Sequence, residues 1–380
     1  MIPLFKVFMS TSAAQKAAET LNSGFIGQGP KVDEFENLLS KRFQKDYLLT
    51  VNSATSAEHL AFHLLKKPNL DINWPGLNDG DEVLTTSLTC TATNWPILAN
   101  NLSIKWVDVD PTTLNLDLVD LKRKISKKTK IILVVHWGGY PVDLDELKKI
   151  QKETKDLYGF EPIIIEDCAH AFGSKYKNAP IGSHGNICTF SFQAIKHLTT
   201  VDGGLLVCPN QTLYDRGKLI RWYGIDRTSN RKDFRCEADI KEWGFKFHMN
   251  DVCATIGIEN LKQVDEIINL HKSNAAYYDE NLKSCNGVTL LKRQEGFESS
   301  FWIYSMLVDN KPEFMRYMSE KGITTSQVHA RNDTHTCVDK YKTFLPELDK
   351  VETKLVSIPV GWWVDQEQRS YIVECIKKGW

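Results

Sequence analysis

Seven short apolar runs, at 47–51, 82–86, 104–107, 130–135, 162–166, 187–191 and 205–208, alternate with segments of helical spacing. This alternation constrains the chain more than any other feature. Strands separated by helices predict a largely parallel sheet with both faces covered, an α/β fold. The helical segments include 56–65, 116–125 and 144–157. After Gly244 the pattern changes: 251–283 reads as one long helix, followed by short elements such as a strand within 301–308 and a helix at 312–321. A chain of 380 residues can bury a large core and hold two domains. The expected division is a large domain at 1–245 carrying a mostly parallel seven-stranded sheet, and a smaller α+β domain at 246–380 hinged on the long helix. No internal repeat or low-complexity linker separates them.

The 47 Lys and Arg residues balance 48 Asp and Glu, so no global charge favours nucleic acid or an anionic membrane, and anion binding must be local. The first eight residues are too short an apolar stretch for a signal peptide, and no run approaches membrane-spanning length, which predicts a cytoplasmic protein. Cysteines at 90, 168, 188, 208, 236, 253, 285, 337 and 375 include no Cys-x-x-Cys pair. They point to reduced thiols, several of them in apolar strand contexts, and not to a disulfide framework or a zinc ribbon.

The chemistry concentrates in two segments. Glu166-Asp167-Cys168-Ala169-His170 puts an acid at the end of an apolar strand, and the stretch from Ser191 through Lys196 to Gly203-Gly204 sets a lysine among small and polar residues. Strand ends are where α/β sheets place their ligands. A pyridoxal phosphate enzyme needs such a pair: a lysine that binds the cofactor aldehyde covalently, and an acid that keeps the pyridine nitrogen protonated so that the ring can act as an electron sink. Asn52-Ser53-Ala54-Thr55-Ser56-Ala57 lies between a strand and a helix. Free amides and hydroxyls there suit a phosphate, although Ser and Thr at such a place also serve as ordinary N-caps. The segment at 24–32 lacks the order of a dinucleotide loop.

These motifs resemble the DegT/StrS-like family of sugar aminotransferases, pyridoxal phosphate enzymes of the aspartate aminotransferase fold, fold type I. The resemblance runs from about Gly24 to His335 and centres on Ser191-Phe192, Lys196 and Gly203-Gly204. It implies that Lys196 binds the cofactor aldehyde, Asp167 partners the pyridine nitrogen, His170 lies beside the ring or its phenolic oxygen, and Ser191, Thr55 and Ser56 hold the phosphate. Lys246 stands where many members carry an asparagine that reaches across the dimer to the phosphate, work a lysine can do as a point charge. The resemblance places the loop at 328–337 over the active site, making His329, Arg331 and Asn332 contacts for an anionic or hydroxylated substrate, with Arg221, Trp222 and Tyr223 as further contacts. A metal held by His329, His335 and Cys337 matches no standard spacing. Trp362 and Trp363 read as core or interface aromatics. Cys90 departs from the pattern, because it occupies the position of an aromatic residue that stacks on the cofactor ring; either a group such as Trp95 substitutes, or the ring is held from other sides.

The implied activity is transfer of an amino group, from glutamate as donor, to a keto group of a nucleotide-linked deoxysugar, in a homodimer with shared active sites. Retention of Lys196 favours an aminotransferase over the family's dehydratases, which replace this lysine, commonly by histidine; His197 is adjacent but out of register. A small phosphorylated ketone is the alternative acceptor, and a non-catalytic cofactor-binding regulator is the alternative from another class.

Overall fold

The computed structural model describes residues 1–69, 73–228 and 239–380; Cys236 lies outside them. Strands β1 (Leu48–Val51), β2 (Glu82–Thr86), β3 (Ser103–Val107), β4 (Thr129–Val135), β5 (Ile163–Asp167), β6 (Ile187–Ser191) and β7 (Gly204–Val207) form one sheet in the order β1-β7-β6-β5-β4-β2-β3. All seven apolar runs are therefore strands of it. Pairing is parallel from β6 across to β3, and β7 alone runs antiparallel to both of its neighbours.

Successive residues of each strand enter opposite cores. Leu49, Val83, Ile131, Leu133, Ile165 and Leu206 pack on one face with Leu60 and Leu64 of helix Ala54–Leu65. Leu48, Leu84, Ile132, Val134, Ile164 and Leu205 pack on the other with Phe35 and Leu39 of helix Pro30–Phe43. A sheet buried on both faces has no solvent side, so its strands read as continuous apolar runs without polar alternation. Each such fully buried Leu or Ile contributes roughly 1.5–3 kcal/mol.

The expected helix at 116–125 is shorter, Leu118–Lys124, because the Asp117 carboxylate caps the Val119 amide and Leu116 pairs with Val109. The single long helix expected at 251–283 is two, Asp251–Leu261 and Val264–Leu282. Gln263, at φ −116° and ψ 0°, leaves helical geometry between them. Ahead of the break, Asn260 is tied to the Thr199 carbonyl at 2.8 Å and to the Ser10 amide at 2.8 Å. The apolar stripe continues through the break, so periodicity could not show the change of axis.

Helix Asp251–Leu261 packs Ala254 and Ile258 into the core beneath the large sheet. A second core surrounds an antiparallel sheet of β8 (Val288–Leu290), β9 (Tyr304–Val308) and β10 (Leu355–Ile358), with helices Val264–Leu282, Lys311–Glu320 and Gln366–Lys378. Ile2 joins this second core and pairs with Ile323. Packing therefore crosses the expected division at 245/246 in both directions. Trp363 donates to the Pro3 carbonyl at 2.8 Å and Phe8 packs edge-on against Trp362, so both tryptophans hold the N-terminal segment. Among the described residues, every cysteine is unpaired and no helix is long and apolar enough to cross a membrane.

Candidate active site

Asp167 closes β5 and Ser191 closes β6, and the chain then turns tightly enough for the Thr200 amide to reach the Phe192 carbonyl at 2.9 Å. Lys196 stands at the head of that turn, with its Nζ 3.4 Å from the centroid of the Trp302 ring. Trp302 is fixed in turn by its indole N–H, which donates to the Ile195 carbonyl at 2.9 Å. Burial brings the Lys196 ammonium down to about 7, against the opposing pull of Asp167 and Cys90. A lysine in this state supplies a neutral amine near neutral pH, the form that attacks a carbonyl.

Asp167 is buried. Its Oδ2 accepts from the Thr93 hydroxyl at 2.7 Å and its Oδ1 from the Ala169 amide at 2.9 Å. His170 stacks on Trp302 with ring centroids 4.0 Å apart. The Gly138 amide donates to His170 Nδ1 at 3.4 Å, which leaves the proton on Nε2, and that atom lies 3.4 Å from His329 Nε2. His329 is thereby the acceptor, with its own proton on Nδ1. Burial and the nearby Lys196 charge hold His170 well below the usual histidine range and bring His329 to about 4, so both rings are neutral.

Behind this cluster, Ser53 caps helix Ala54–Leu65: its Oγ accepts from the Ser56 amide at 3.1 Å and donates to the Ser56 hydroxyl at 3.0 Å. The first main-chain bond of the helix runs from the Ala57 amide to the Ser53 carbonyl, so the Ala54 and Thr55 amides precede the ladder and point outward. Thr55 is exposed at this helix start and Ser56 is half-buried. Gly204 of β7 lies against it so closely that a Cβ there would overlap Ser53 and Ala54 backbone atoms. Ser191 is buried nearby in sequence to Lys196 and accepts from the Gln193 amide at 3.3 Å. Lys246 is exposed; its carbonyl accepts from Asn52 Nδ2 at 3.4 Å, and its Nζ lies over Trp222 and Tyr223, at 4.9 and 5.5 Å. A neutral amine, a buried carboxylate and open helix amides suit a ligand with an aldehyde, a basic ring nitrogen and a phosphate.

Three of the expected substrate contacts are engaged in bonds within the chain. The Arg331 guanidinium is held by both oxygens of Asp333, at 2.8 Å each, and by Asp349 and Glu352, which engages four of its five N–H donors. Asn332 is fully buried, donating to the Thr89 carbonyl and accepting from Asn94, each at 2.8 Å. Arg221, 3% exposed, is held by Glu36 at 2.6 Å and the Thr50 carbonyl at 2.7 Å. Arg331 and Asn332 instead pin the segment that delivers Thr93 to Asp167. Trp95 packs against the core and His335, so the aromatic beside Lys196 is Trp302.

Among the described residues, His329, His335 and Cys337 do not converge; the one group with metal-ligating geometry is His136, Glu166 and Cys168. There His136 Nε2 meets Glu166 at 2.8 Å, and Asn186 donates to the second Glu166 oxygen at 2.7 Å, so these groups satisfy one another. Thr93, Trp302 and Glu58 belong to the site but carry no motif. A glutamate inside the apolar helix at 54–65 was the one signal that pattern alone offered.

The DegT/DnrJ/EryC1/StrS aminotransferase family matches residues 9–377. The crystal structure of AtS13 from Actinomadura melliaura is similar at 49% identity and TM-score 0.95, covering 100% of this chain and 99% of that one. The sugar aminotransferase CalS13 from Micromonospora echinospora is similar at 46% identity and TM-score 0.94, with complete coverage of both chains. A UDP-4-amino-4-deoxy-L-arabinose–oxoglutarate aminotransferase of Shewanella sediminis is 31% identical over 76% of this chain and 71% of its own length. With this match nearly end to end, the chain belongs to the DegT/DnrJ/EryC1/StrS aminotransferase family, and is a pyridoxal 5'-phosphate-dependent aminotransferase.

Proposed function

We propose that this aminotransferase moves an amino group from glutamate to the keto group of a nucleotide-linked deoxysugar, in a homodimer with shared active sites. The observation that carries the catalytic part is the desolvated Lys196 amine facing buried Asp167. Bound pyridoxal phosphate supplies an electron-withdrawing ring that acidifies the carbon bearing the transferred nitrogen. Lys196 would hold the cofactor through its aldehyde, and its neutral amine, when free, would be the base placed to move a proton at the donor's α carbon. Asp167, whose carboxyl accepts from Thr93 and Ala169, would partner the ring nitrogen and favour its positive form. The Thr55 amide and the Ser56 and Ser191 hydroxyls hold the phosphate, with Lys246 adding charge. His170 and His329, both neutral, would lie on the phenolic side of the ring and toward the substrate.

Support for the acceptor comes from the relatives. One relative is a sugar aminotransferase, and another pairs a UDP-linked amino sugar with oxoglutarate, the keto counterpart of glutamate. The test is single-turnover reaction of the glutamate-charged enzyme with a nucleoside diphosphate keto-deoxysugar and with a triose phosphate ketone. Faster return of the aldehyde absorbance with the sugar is expected; faster reaction with the triose overturns the sugar reading in favour of a small phosphorylated ketone.

A further inference from the structure

Helix Ala54–Leu65 buries Ala57, Leu60, Ala61 and Leu64 against the sheet, and it buries Glu58 as well, at 1% exposure. Thr189 donates to Glu58 Oε1 at 3.3 Å, and Thr189 is the residue of β6 paired with Asp167 of β5. Paired residues on neighbouring strands point to the same face, so Glu58, Thr189 and Asp167 form one buried polar group. Glu58 Oε2 has no partner among the described residues.

Two carboxyl groups in one dry site cannot both be charged, and one retains a proton. The hydrogen bonds decide which. Asp167 receives a hydroxyl at 2.7 Å and an amide at 2.9 Å, whereas Glu58 receives the Thr189 hydroxyl alone, at the longer 3.3 Å. We propose that Glu58 is a carboxylic acid and a positioning residue for Asp167: it keeps the proton of the pair, directs it toward Asp167, and so leaves Asp167 as the anion that faces the ring nitrogen of bound pyridoxal phosphate. This rests on the assignment of Asp167 as the nitrogen's partner. Desolvation and the neighbouring Asp167 charge push the Glu58 carboxyl well above the usual carboxylate range, and the other ionisable group facing it is Cys90. Lys196 is near enough to interact electrostatically with Asp167. A donor on Asp167 makes its carboxylate less basic, so the proton between Asp167 and the ring stays on nitrogen. Without that donor the shared proton moves toward Asp167.

The holoenzyme gives two readouts that a purely structural role would not move. At about pH 8, well above the ordinary carboxylate range, the infrared difference between wild type and Glu58→Gln should contain a carboxylic acid carbonyl band belonging to Glu58; absence of that band overturns the proposal. With ¹⁵N-labelled cofactor, the pyridine resonance should keep its protonated position in Glu58→Gln, which retains an N–H donor, and move toward the unprotonated position in Glu58→Leu. An unmoved resonance in Glu58→Leu overturns the positioning role, and the infrared band is read on wild type even where that variant folds poorly. Asp167→Asn separates the two claims: a shifted resonance there with an unmoved one in Glu58→Leu sinks only the Glu58 inference, whereas an unmoved resonance in Asp167→Asn overturns the Asp167 assignment itself.

Discussion

Lys196 owes its reactivity to its surroundings, and that gives it a measurable signature. An exposed lysine stays protonated until about pH 10.4, but burial brings this one to about 7. Capture of the cofactor by cofactor-free protein should therefore accelerate as pH rises through about 7 and level off beyond it; a rate still climbing above about pH 9 in stopped-flow absorbance would contradict the assignment. Borohydride should fix the cofactor on Lys196, as peptide mapping reads, and Lys196→Ala should lose at least ~10²-fold in turnover while still binding pyridoxamine phosphate. The roles proposed for Lys196 and Asp167 can be read in sequence because they travel with local motifs, the turn after β6 and the acid that closes β5. The internal partners of Arg221 and Arg331 were not legible, for a complementary reason. Whether an arginine is free depends on which carboxylates fold against it, and Glu36, Asp349 and Glu352 come from distant segments.

The strand-to-helix junction after β1 works as a cradle because β7 is allowed to touch it. Gly204 supplies that clearance, since a side chain there would collide with Ser53 and Ala54 backbone that cannot yield. Gly204→Ala is expected to destabilise the protein by about 1–3 kcal/mol and to weaken retention of cofactor in parallel. Thermal melts with and without cofactor test this: a variant as stable as wild type that also retains cofactor normally would show that the contact relaxes at little cost. The seven strands were readable because burial on both faces writes itself as uninterrupted apolar sequence. The break at Lys262 and Gln263 was not, since a helix can change direction while its apolar residues keep their spacing.

The chain presents an open groove of about 1000 Å³ lined by Phe25, Pro30, Leu38 and Ile258, with Phe25 80% exposed at its edge. An exposed apolar surface of this kind marks an interaction site, and it agrees with the proposed homodimer. With Lys246 of one chain serving the phosphate of the other, as proposed, mixing inactive Lys196→Ala with inactive Lys246→Ala chains should restore part of the activity, because one site in each mixed dimer would be intact. Proven subunit exchange without recovery of activity would count against shared sites.

By itself the sequence determined the sheet and the family, and it pointed to the pair of groups proposed for the centre of the chemistry. Each is encoded locally, in apolar runs, in a strand-end acid and in the turn that carries Lys196. Tertiary structure alone decided which polar groups remain available. Arg331 and Arg221 are engaged by internal carboxylates, Trp302 stands beside the lysine, and Glu58 is brought onto Asp167. Charge and hydrogen-bonding capacity are properties of a residue, but their commitment is a property of its neighbours, and those neighbours are assembled from across the chain only when the cores close.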